Sequence, residues 1–197
     1  HNGELLTEDA EELFSMDEVL EVLKKRASLL EGVCITGGEP TLSSDLEVLI
    51  RRIKELGLLI KLDTNGYRPD VIKHLCAEHL LDYIAMDIKS SPENYAMVAG
   101  VSHINTDTIS ESIDFLRSCG VPCEFRTTAV RGLHTEEDFA EFGKWISGAE
   151  RYFIQNYVEW DRVLSPGFSG FRKEELLTFA DIVRPWVKEV SLRGVDY

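Results

Sequence analysis

The sequence predicts an α/β fold in which parallel strands form an open, partial barrel with helices along its outer side. Strand and helix patterns alternate along the 197 residues, which is typical of parallel sheets whose strands are joined by helices. Three predicted strands carry charged residues on one face and apolar residues on the other, which indicates helices on one side of the sheet only. A hydrophobic content of 44% is sufficient for a single domain over residues 1–197.

Start and stop signals place the elements in the first half of the chain. Ser15 with Glu18 three residues later is a capping box, and apolar residues at helical spacing follow it. Gly57 is typical of a helix C-terminus, and Asn65-Gly66 is a turn signal. Together they predict helix 16–30, strand 32–36, helix 44–56, strand 58–63, helix 69–78 and strand 82–88.

The second half repeats this alternation. A turn begins with Ser91-Pro92, the next helix stops at Gly120, and Thr135 with Asp138 fits a helix cap. The elements predicted here are a turn at 91–98, helix 106–118, strand 121–129, helix 135–146, strand 151–155, helix 172–184 and strand 187–193.

The charged strand faces predict a polar concave surface. A closed eight-stranded barrel fills its interior with layers of branched apolar residues, which these faces do not offer. An open barrel with a wet interior accounts for them better. Its functional groups are expected at the carboxyl ends of the strands, where Glu39, Asp63, Asp87, Lys89 and Arg126 fall.

Composition restricts the partners and the compartment. The formal net charge of −14 disfavours binding to nucleic acid or anionic membranes. No apolar run approaches the roughly 20 residues that cross a bilayer, and the N-terminal residues lack a signal-peptide pattern, so a cytoplasmic protein is expected. The four cysteines follow no zinc or disulfide spacing and are expected to be reduced and mostly buried. Gly120 and Pro122 argue against a shared helical face for Cys119 and Cys123.

The loop Thr36-Gly37-Gly38-Glu39-Pro40 after the first predicted strand is a candidate ligand site. Adjacent glycines permit positive φ and leave the main chain open to a ligand. Glu39 can accept hydrogen bonds from a ligand ammonium group. The alternative is an ordinary strand-to-helix turn with a solvated Glu39.

Two pairs at later strand ends are also candidate ligand contacts. Asp87 and Lys89 share a strand face and can reach one ligand, and a structural ion pair is the alternative. Asp63-Thr64 can hold a cation or a ligand hydroxyl group, and an Asx-type turn is the alternative.

Two single residues have competing interpretations. Arg126 is either a contact for a carboxylate or ribose, or the partner of Glu124. His134 precedes a helix start and is interpreted as a solvated loop residue rather than a ligand.

Together these motifs resemble the radical S-adenosylmethionine superfamily, and within it the activating enzymes of glycyl radical enzymes. The likeness is greatest to the activating proteins of anaerobic ribonucleoside-triphosphate reductase, with the activating enzyme of pyruvate formate-lyase as a near relative. The resemblance implies a TIM-like (β/α)6 partial barrel. The matching segments are 36–40, 62–66, 86–89, 125–128 and 132–134, in the order of the family's strands.

The resemblance implies S-adenosylmethionine and a 4Fe-4S cluster as cofactors. It assigns Gly37, Gly38 and Glu39 to the methionyl ammonium group, and Asp87 and Lys89 to the ribose and carboxylate side. It also places Arg126 near the methionyl carboxylate, makes Gln155 a further contact, and implies a monovalent cation at Asp63, Thr64 and Asp87.

The same resemblance implies the reaction and its partners. A 5′-deoxyadenosyl radical formed by reductive cleavage of S-adenosylmethionine would take a hydrogen from a glycine of a glycyl radical enzyme. An electron donor such as flavodoxin or ferredoxin would supply the electron.

One departure from the family pattern concerns the cluster. The CxxxCxxC loop that holds it is absent, and the chain begins His1-Asn2, residues that commonly follow the third cysteine in relatives. The first barrel strand and the cluster loop are therefore expected upstream of His1, and the chain as given is expected to be inactive.

Three alternatives remain open at this point. The first is another radical S-adenosylmethionine enzyme that acts on a small molecule, such as a carboxy-deazaguanine synthase. The second is a non-radical (β/α)-barrel lyase or hydrolase that uses Asp87 and Lys89 in acid-base chemistry. The third is a module that only binds a partner.

Overall fold

The computed structural model describes residues 14–158 and 167–195, and within them strands and helices alternate as predicted. The helices are α1 (Met16–Arg26), α2 (Leu46–Lys54), α3 (Pro69–Ala77), α4 (Tyr95–Ala99), α5 (Thr106–Leu116), α6 (Glu136–Trp145) and α7 (Lys173–Val183). The strands are β1 (Gly32–Ile35), β2 (Leu59–Thr64), β3 (Tyr83–Asp87), β4 (Cys123–Ala129), β5 (Arg151–Asn156) and β6 (Glu189–Arg193). The expectation of a cysteine loop upstream is based on His1 and Asn2. These two residues lie outside the described residues.

The sheet confirms the predicted fold class. Its six described strands follow one another in sequence order from β1 to β6, and every neighbouring pair is parallel. Within the described residues β1 and β6 are edge strands that do not pair with each other, so the barrel is open. All carboxyl ends of the strands consequently lie along the same edge.

The outer face of the sheet forms the hydrophobic core with the helices. Ile60, Leu62, Ile84, Phe125 and Ile154 point to this side and are at most 1% exposed. Shortening one such side chain to alanine costs about 2–5 kcal/mol, because the cavity that remains loses contacts as well as apolar burial. This one-sided core explains why the strands alternate between apolar and polar residues.

Helix caps act as the sequence predicts. In the capping box of α1, the Ser15 hydroxyl accepts from Glu18 N, and the Glu18 carboxylate accepts from Ser15 N. Thr135 and Asp138 form the same reciprocal arrangement at α6. Asp138 is buried and also accepts a hydrogen bond from Ser91 Oγ at 2.7 Å, which fixes the segment after β3 against α6.

Some boundaries differ from the prediction. α1 ends at Arg26 rather than at residue 30, and Ala27–Leu29 continue as a 3-10 turn. A second 3-10 turn, Pro40–Leu42, lies between β1 and α2, so α2 starts two residues later than expected. Pro40 suits the first position of such a turn because its ring fixes φ. The predicted turn at 91–98 contains the short helix α4.

The concave face carries ion pairs that skip a strand. Asp63 on β2 pairs with Arg126 on β4, and Glu124 on β4 pairs with Arg193 on β6. In each case one strand separates the partners, so their side chains meet above it on the concave side. None of the described helices has the length and apolar character needed to cross a lipid bilayer.

Candidate functional site

The loop after β1 leaves its main chain open at the carboxyl edge of the sheet. Gly37 has φ 142°, a conformation that L side chains rarely adopt. A Cβ atom added at Gly37 would meet no atom within 4 Å, so there is free space beside the peptide groups. Gly38 follows and is half-buried. A ligand can therefore approach the backbone here directly.

Glu39 ties this loop to the loop after β2. Its Oε1 atom accepts from Thr64 Oγ1 at 2.7 Å and from Thr41 N at 3.2 Å, and its Oε2 atom accepts from Asn65 N at 2.6 Å. Glu39 is half-buried, so the interpretation as a solvated side chain is wrong. The contacts hold the carboxylate in one orientation, with a single described donor on Oε2.

Five side chains on β2, β3 and β4 and just beyond form a continuous chain of ion pairs, which we call the ionic row. Arg126 lies at its centre and donates from Nη1 to Asp63 Oδ2 and from Nε to Asp87 Oδ1, both at 2.9 Å. Lys89 Nζ lies 2.8 Å from Asp87 Oδ2, and Lys61 pairs with Asp63 Oδ1. The predicted proximity of Asp87, Lys89 and Arg126 is thus present.

The ionic row carries three cationic groups and two carboxylates, so it has a net positive charge. Burial acts to raise the pKa of Asp87, but the charges of Lys89 and Arg126 and their hydrogen bonds outweigh it, and the pKa lies below its ordinary value. Burial likewise acts to lower the pKa of Arg126, and Asp87 and Asp63 raise it above its ordinary value. The excess of cationic over carboxylate groups in the ionic row suits an anionic ligand group.

Glu124, which one interpretation pairs with Arg126, instead contacts Arg193 and Tyr83. Glu124 is 3% exposed and accepts from Arg193 Nη1 at 2.9 Å and from the Tyr83 hydroxyl at 2.9 Å. Arg193 also stacks on Phe153, with its guanidinium carbon 3.5 Å from the ring centre. The pairing of Arg126 with Glu124 is therefore wrong, because the strand register directs Arg126 towards Asp87 instead.

Gln155 lies on the same concave face, in register with Thr128 on β4 and Arg193 on β6. It is half-buried and is not part of the ionic row. The sheet therefore places it on the expected surface but apart from the contacts that join β2, β3 and β4.

His134 is buried, which corrects its interpretation as a solvated loop residue. It is 5% exposed, and its Nδ1 accepts from Val130 N at 3.1 Å. Since Nδ1 is an acceptor, Nε2 carries the hydrogen and donates to the Lys89 carbonyl oxygen at 2.9 Å. The ring also packs at an angle on Phe142. His134 thus fixes the main chain at Lys89, and no sequence signal other than its place before a helix cap pointed to it.

The cysteines divide between two places. Cys34 is exposed on the concave face, with its Sγ 3.9 Å from Lys61 Nζ. Cys119 and Cys123 both place Sγ 3.5 Å from the Leu116 carbonyl oxygen, although no helical face joins them. Burial raises the pKa of Cys76, and neighbouring Cys119 adds to this shift, to about 12. In residues 14–158 and 167–195, no group of three or more His, Cys, Asp or Glu side chains is placed to hold a metal ion.

Parallel α/β barrels with polar groups at the carboxyl ends of their strands form a broad class of enzymes, and the fold and the site belong to that class. The sequence profile of the Radical SAM superfamily matches residues 6–146, which is most of the chain. This protein therefore belongs to the radical SAM superfamily.

Its relatives within the superfamily differ in their named reactions. A protein of Methanocaldococcus jannaschii named as a glycyl-radical enzyme activating enzyme is 29% identical over 177 residues, which cover 84% of this chain and 72% of the relative. A protein of Thermococcus kodakarensis named as a GTP 3′,8-cyclase is 31% identical over 132 residues, which cover 64% of this chain and 42% of the relative.

The fold is also found in a solved structure, a domain of pyruvate-formate lyase-activating enzyme from Bacteroides vulgatus. It superposes with a TM-score of 0.63 at 17% identity and covers 83% of this chain and 99% of that chain. At this level of identity the similarity establishes a shared fold.

Enzymes of this superfamily use S-adenosylmethionine and a 4Fe-4S cluster. The described site fits the first of these, because free space beside Gly37, the oriented carboxylate of Glu39 and the positive ionic row match a ligand with an ammonium and a carboxylate group. The described residues do not fit the cluster. Cys34 stands alone at the site, and the other three cysteines lie on α3, after α5 and at the start of β4, where strands begin rather than end.

Proposed function

We propose that the protein is an activating enzyme of a glycyl radical enzyme, of the anaerobic ribonucleoside-triphosphate reductase type. The observation that carries the activating function is the similarity to the Methanocaldococcus jannaschii relative, which extends over 84% of the chain. The reductase type comes from the resemblance of the sequence motifs. S-adenosylmethionine, when it is bound and reductively cleaved, supplies the 5′-deoxyadenosyl radical that takes a hydrogen from a glycine of the partner enzyme.

In this proposal the loop after β1 binds the methionyl ammonium group. The main chain at Gly37 and Gly38 is accessible, and Oε2 of Glu39 has room for a further donor beside Asn65 N. Because Thr64 and Asn65 already orient Glu39, little side-chain entropy is lost when the ligand binds.

The ionic row binds the carboxylate and ribose side of the cofactor. Lys89 and Arg126 supply positive charge for the carboxylate, and Asp87 orients both of them while accepting from ribose hydroxyls. Gln155 is a further contact at the end of β5. Thr64 braces the loops after β1 and β2 through its hydrogen bond to Glu39. The monovalent cation that the resemblance implies at Asp63, Thr64 and Asp87 is disfavoured, because Lys61 and Arg126 already place positive charge beside both oxygens of Asp63.

The partner in this proposal is a glycyl radical enzyme of the anaerobic ribonucleotide reductase or pyruvate formate-lyase type, with flavodoxin or ferredoxin as the electron donor. The open side of the barrel would admit the glycine loop of the partner. The four cysteines of the 197 residues are not arranged to hold the 4Fe-4S cluster, so we expect the 197-residue chain by itself to lack cleavage activity.

The test uses the full-length native protein, reconstituted with iron and sulfide without oxygen. Reductive cleavage should give 5′-deoxyadenosine, and a partner enzyme labelled with deuterated glycine should transfer deuterium into it. The partner should then show a glycyl radical doublet in its electron paramagnetic resonance spectrum. Cleavage without deuterium transfer from any glycyl radical enzyme of the same organism would contradict the activating function.

A second candidate is a radical enzyme that acts on a small molecule, which the similarity to the protein named as a GTP 3′,8-cyclase supports. Deuterium transfer from a labelled nucleotide rather than from a protein glycine would favour it. A non-radical lyase or hydrolase that uses Asp87 and Lys89 would instead turn over its substrate with no S-adenosylmethionine present.

A further inference from the structure

Lys61 is a member of the ionic row that belongs to none of the sequence motifs of the candidate site. Its ammonium group pairs with Oδ1 of Asp63, and Arg126 binds Oδ2 of the same carboxylate. At Asp87, Arg126 and Lys89 bind the two oxygens in the same way. Each oxygen of both carboxylates therefore already has a cationic partner from this chain.

Lys61 is positioned to keep this role when a ligand binds. Its side chain is 32% exposed and that of Asp63 only 14%, so the pair is shielded from solvent on the Asp63 side. Lys61 lies on β2 between Cys34 on β1 and Tyr83 on β3, with which it is in register. Because it is two residues before Asp63 on the same strand face, the strand itself holds the two groups together.

An exchangeable monovalent cation would need free oxygen ligands at the same place. Hard cations are bound by carboxylate, hydroxyl and carbonyl oxygens. The Thr64 hydroxyl donates to Glu39 Oε1 at 2.7 Å and accepts from Gly66 N at 3.1 Å, so it is committed to the loops. Lys61 and Arg126 place a positive charge beside each oxygen of Asp63, and these charges repel a further cation there.

We infer that Lys61 is a built-in cation of the S-adenosylmethionine site and takes the place of an exchangeable monovalent cation beside Asp63. This inference rests on the proposed function and deepens it, since it concerns the same site. Without the charge of Lys61, the ionic row has no net positive charge and Oδ1 of Asp63 loses its cationic partner. That oxygen then becomes available to an alkali cation from solution.

The test compares S-adenosylmethionine binding in two buffers of equal ionic strength, one with potassium chloride and one with tetramethylammonium chloride, whose cation is too large for the site. Equilibrium dialysis of labelled S-adenosylmethionine against the full-length reconstituted protein measures the dissociation constant without turnover. The unaltered protein should bind equally well in both buffers. Lys61→Met should bind about tenfold more weakly in tetramethylammonium, a difference of about 1.4 kcal/mol, and potassium should restore most of the affinity.

Lys54→Met is the matched control. Lys54 pairs with Asp82 at 2.9 Å and is 29% exposed, but it lies on α2, on the outer side of the barrel. The Lys54→Met variant should bind S-adenosylmethionine as tightly as the unaltered protein in both buffers. Lys61→Arg keeps the charge and should remain independent of potassium.

The outcomes separate this inference from the proposed cofactor site. Potassium dependence of the unaltered protein, or Lys61→Met that binds equally well in both buffers, would overturn the built-in cation and leave the cofactor site standing. An unaltered protein that binds no S-adenosylmethionine in either buffer would overturn both.

Discussion

The Nη1 atom of Arg126 on β4 lies 2.9 Å from Oδ2 of Asp63 on β2, two strands away across the concave face. The same guanidinium donates from Nε to Asp87 on the intervening strand at 2.9 Å. One planar side chain with fixed donor directions thus joins three strands. Since Asp63 and Asp87 lie at the carboxyl ends of β2 and β3, Arg126 fixes these two strand ends relative to each other at the candidate site.

Arg126→Met should therefore destabilise the protein strongly. The change leaves two partly buried carboxylates with one cation fewer each, and the side chains of Arg126 and Asp63 are only 13% and 14% exposed. We expect the free energy of unfolding in urea to fall by about 3 kcal/mol. Arg52→Met is the matched control, because the pair of Arg52 with Asp17 is exposed and should contribute less than about 1 kcal/mol. Equal losses in both variants would contradict this role of Arg126.

Glu39→Gln should loosen the link between the loops after β1 and β2. The amide has no negative charge and one acceptor oxygen in place of two, so it cannot hold Asn65 N at 2.6 Å as well as Thr41 N at 3.2 Å. We expect faster hydrogen exchange at Asn65 and about tenfold weaker binding of S-adenosylmethionine, which corresponds to the loss of one charge-assisted hydrogen bond. Glu55→Gln, at an exposed position after α2, should change neither. Unchanged exchange at Asn65 in Glu39→Gln would show that the carboxylate is not needed for this link.

His134→Phe should cost stability although it preserves the ring. It leaves Val130 N and the Lys89 carbonyl oxygen without their partner, and an unsatisfied buried polar group costs about 1–3 kcal/mol. Urea unfolding measures the loss, and the exposed His103→Phe is the control, for which little change is expected. A His134→Phe protein as stable as the unaltered one would mean that the two main-chain groups find water or other partners.

The pH dependence of stability should reveal the charge of Asp87. Its pKa in the folded protein is lower than its ordinary value of 3.8, so the folded state favours the ionised form. The stabilisation is therefore fully present above pH 4 and is lost as the pH falls from there through the folded-state pKa. Asp87→Asn should be less stable than the unaltered protein at pH 7, and the difference should shrink below pH 4. A difference that stays constant down to pH 2 would rule out this linkage.

Much of the fold follows from local patterns in the sequence. Apolar periodicity, the capping boxes at Ser15 and Thr135, and turn glycines located the strands and helices to within a few residues. The segregation of charge to one strand face indicated an open barrel with a polar interior. Since parallel strands all end at one edge, the candidate residues at strand ends could be assigned to one site without knowing their contacts.

The contacts within the site depended on the tertiary structure. Arg126 is 63 residues from Asp63, and its choice of Asp63 and Asp87 over Glu124 is set by strand register and sheet curvature. The hydrophobic periodicity of the sequence gives no information about strand register or sheet curvature.

The pairing of Lys61 and the burial of His134 could not be predicted from the sequence either. The partners and the exposure of a side chain depend on residues from distant strands that pack around it. The sequence alone therefore determined the order of the elements, the fold class and the set of candidate residues, since these depend on short-range patterns. Only the tertiary structure decided which charges pair, including Lys61 with Asp63, and which histidine holds the main chain, since these depend on how distant segments are brought together.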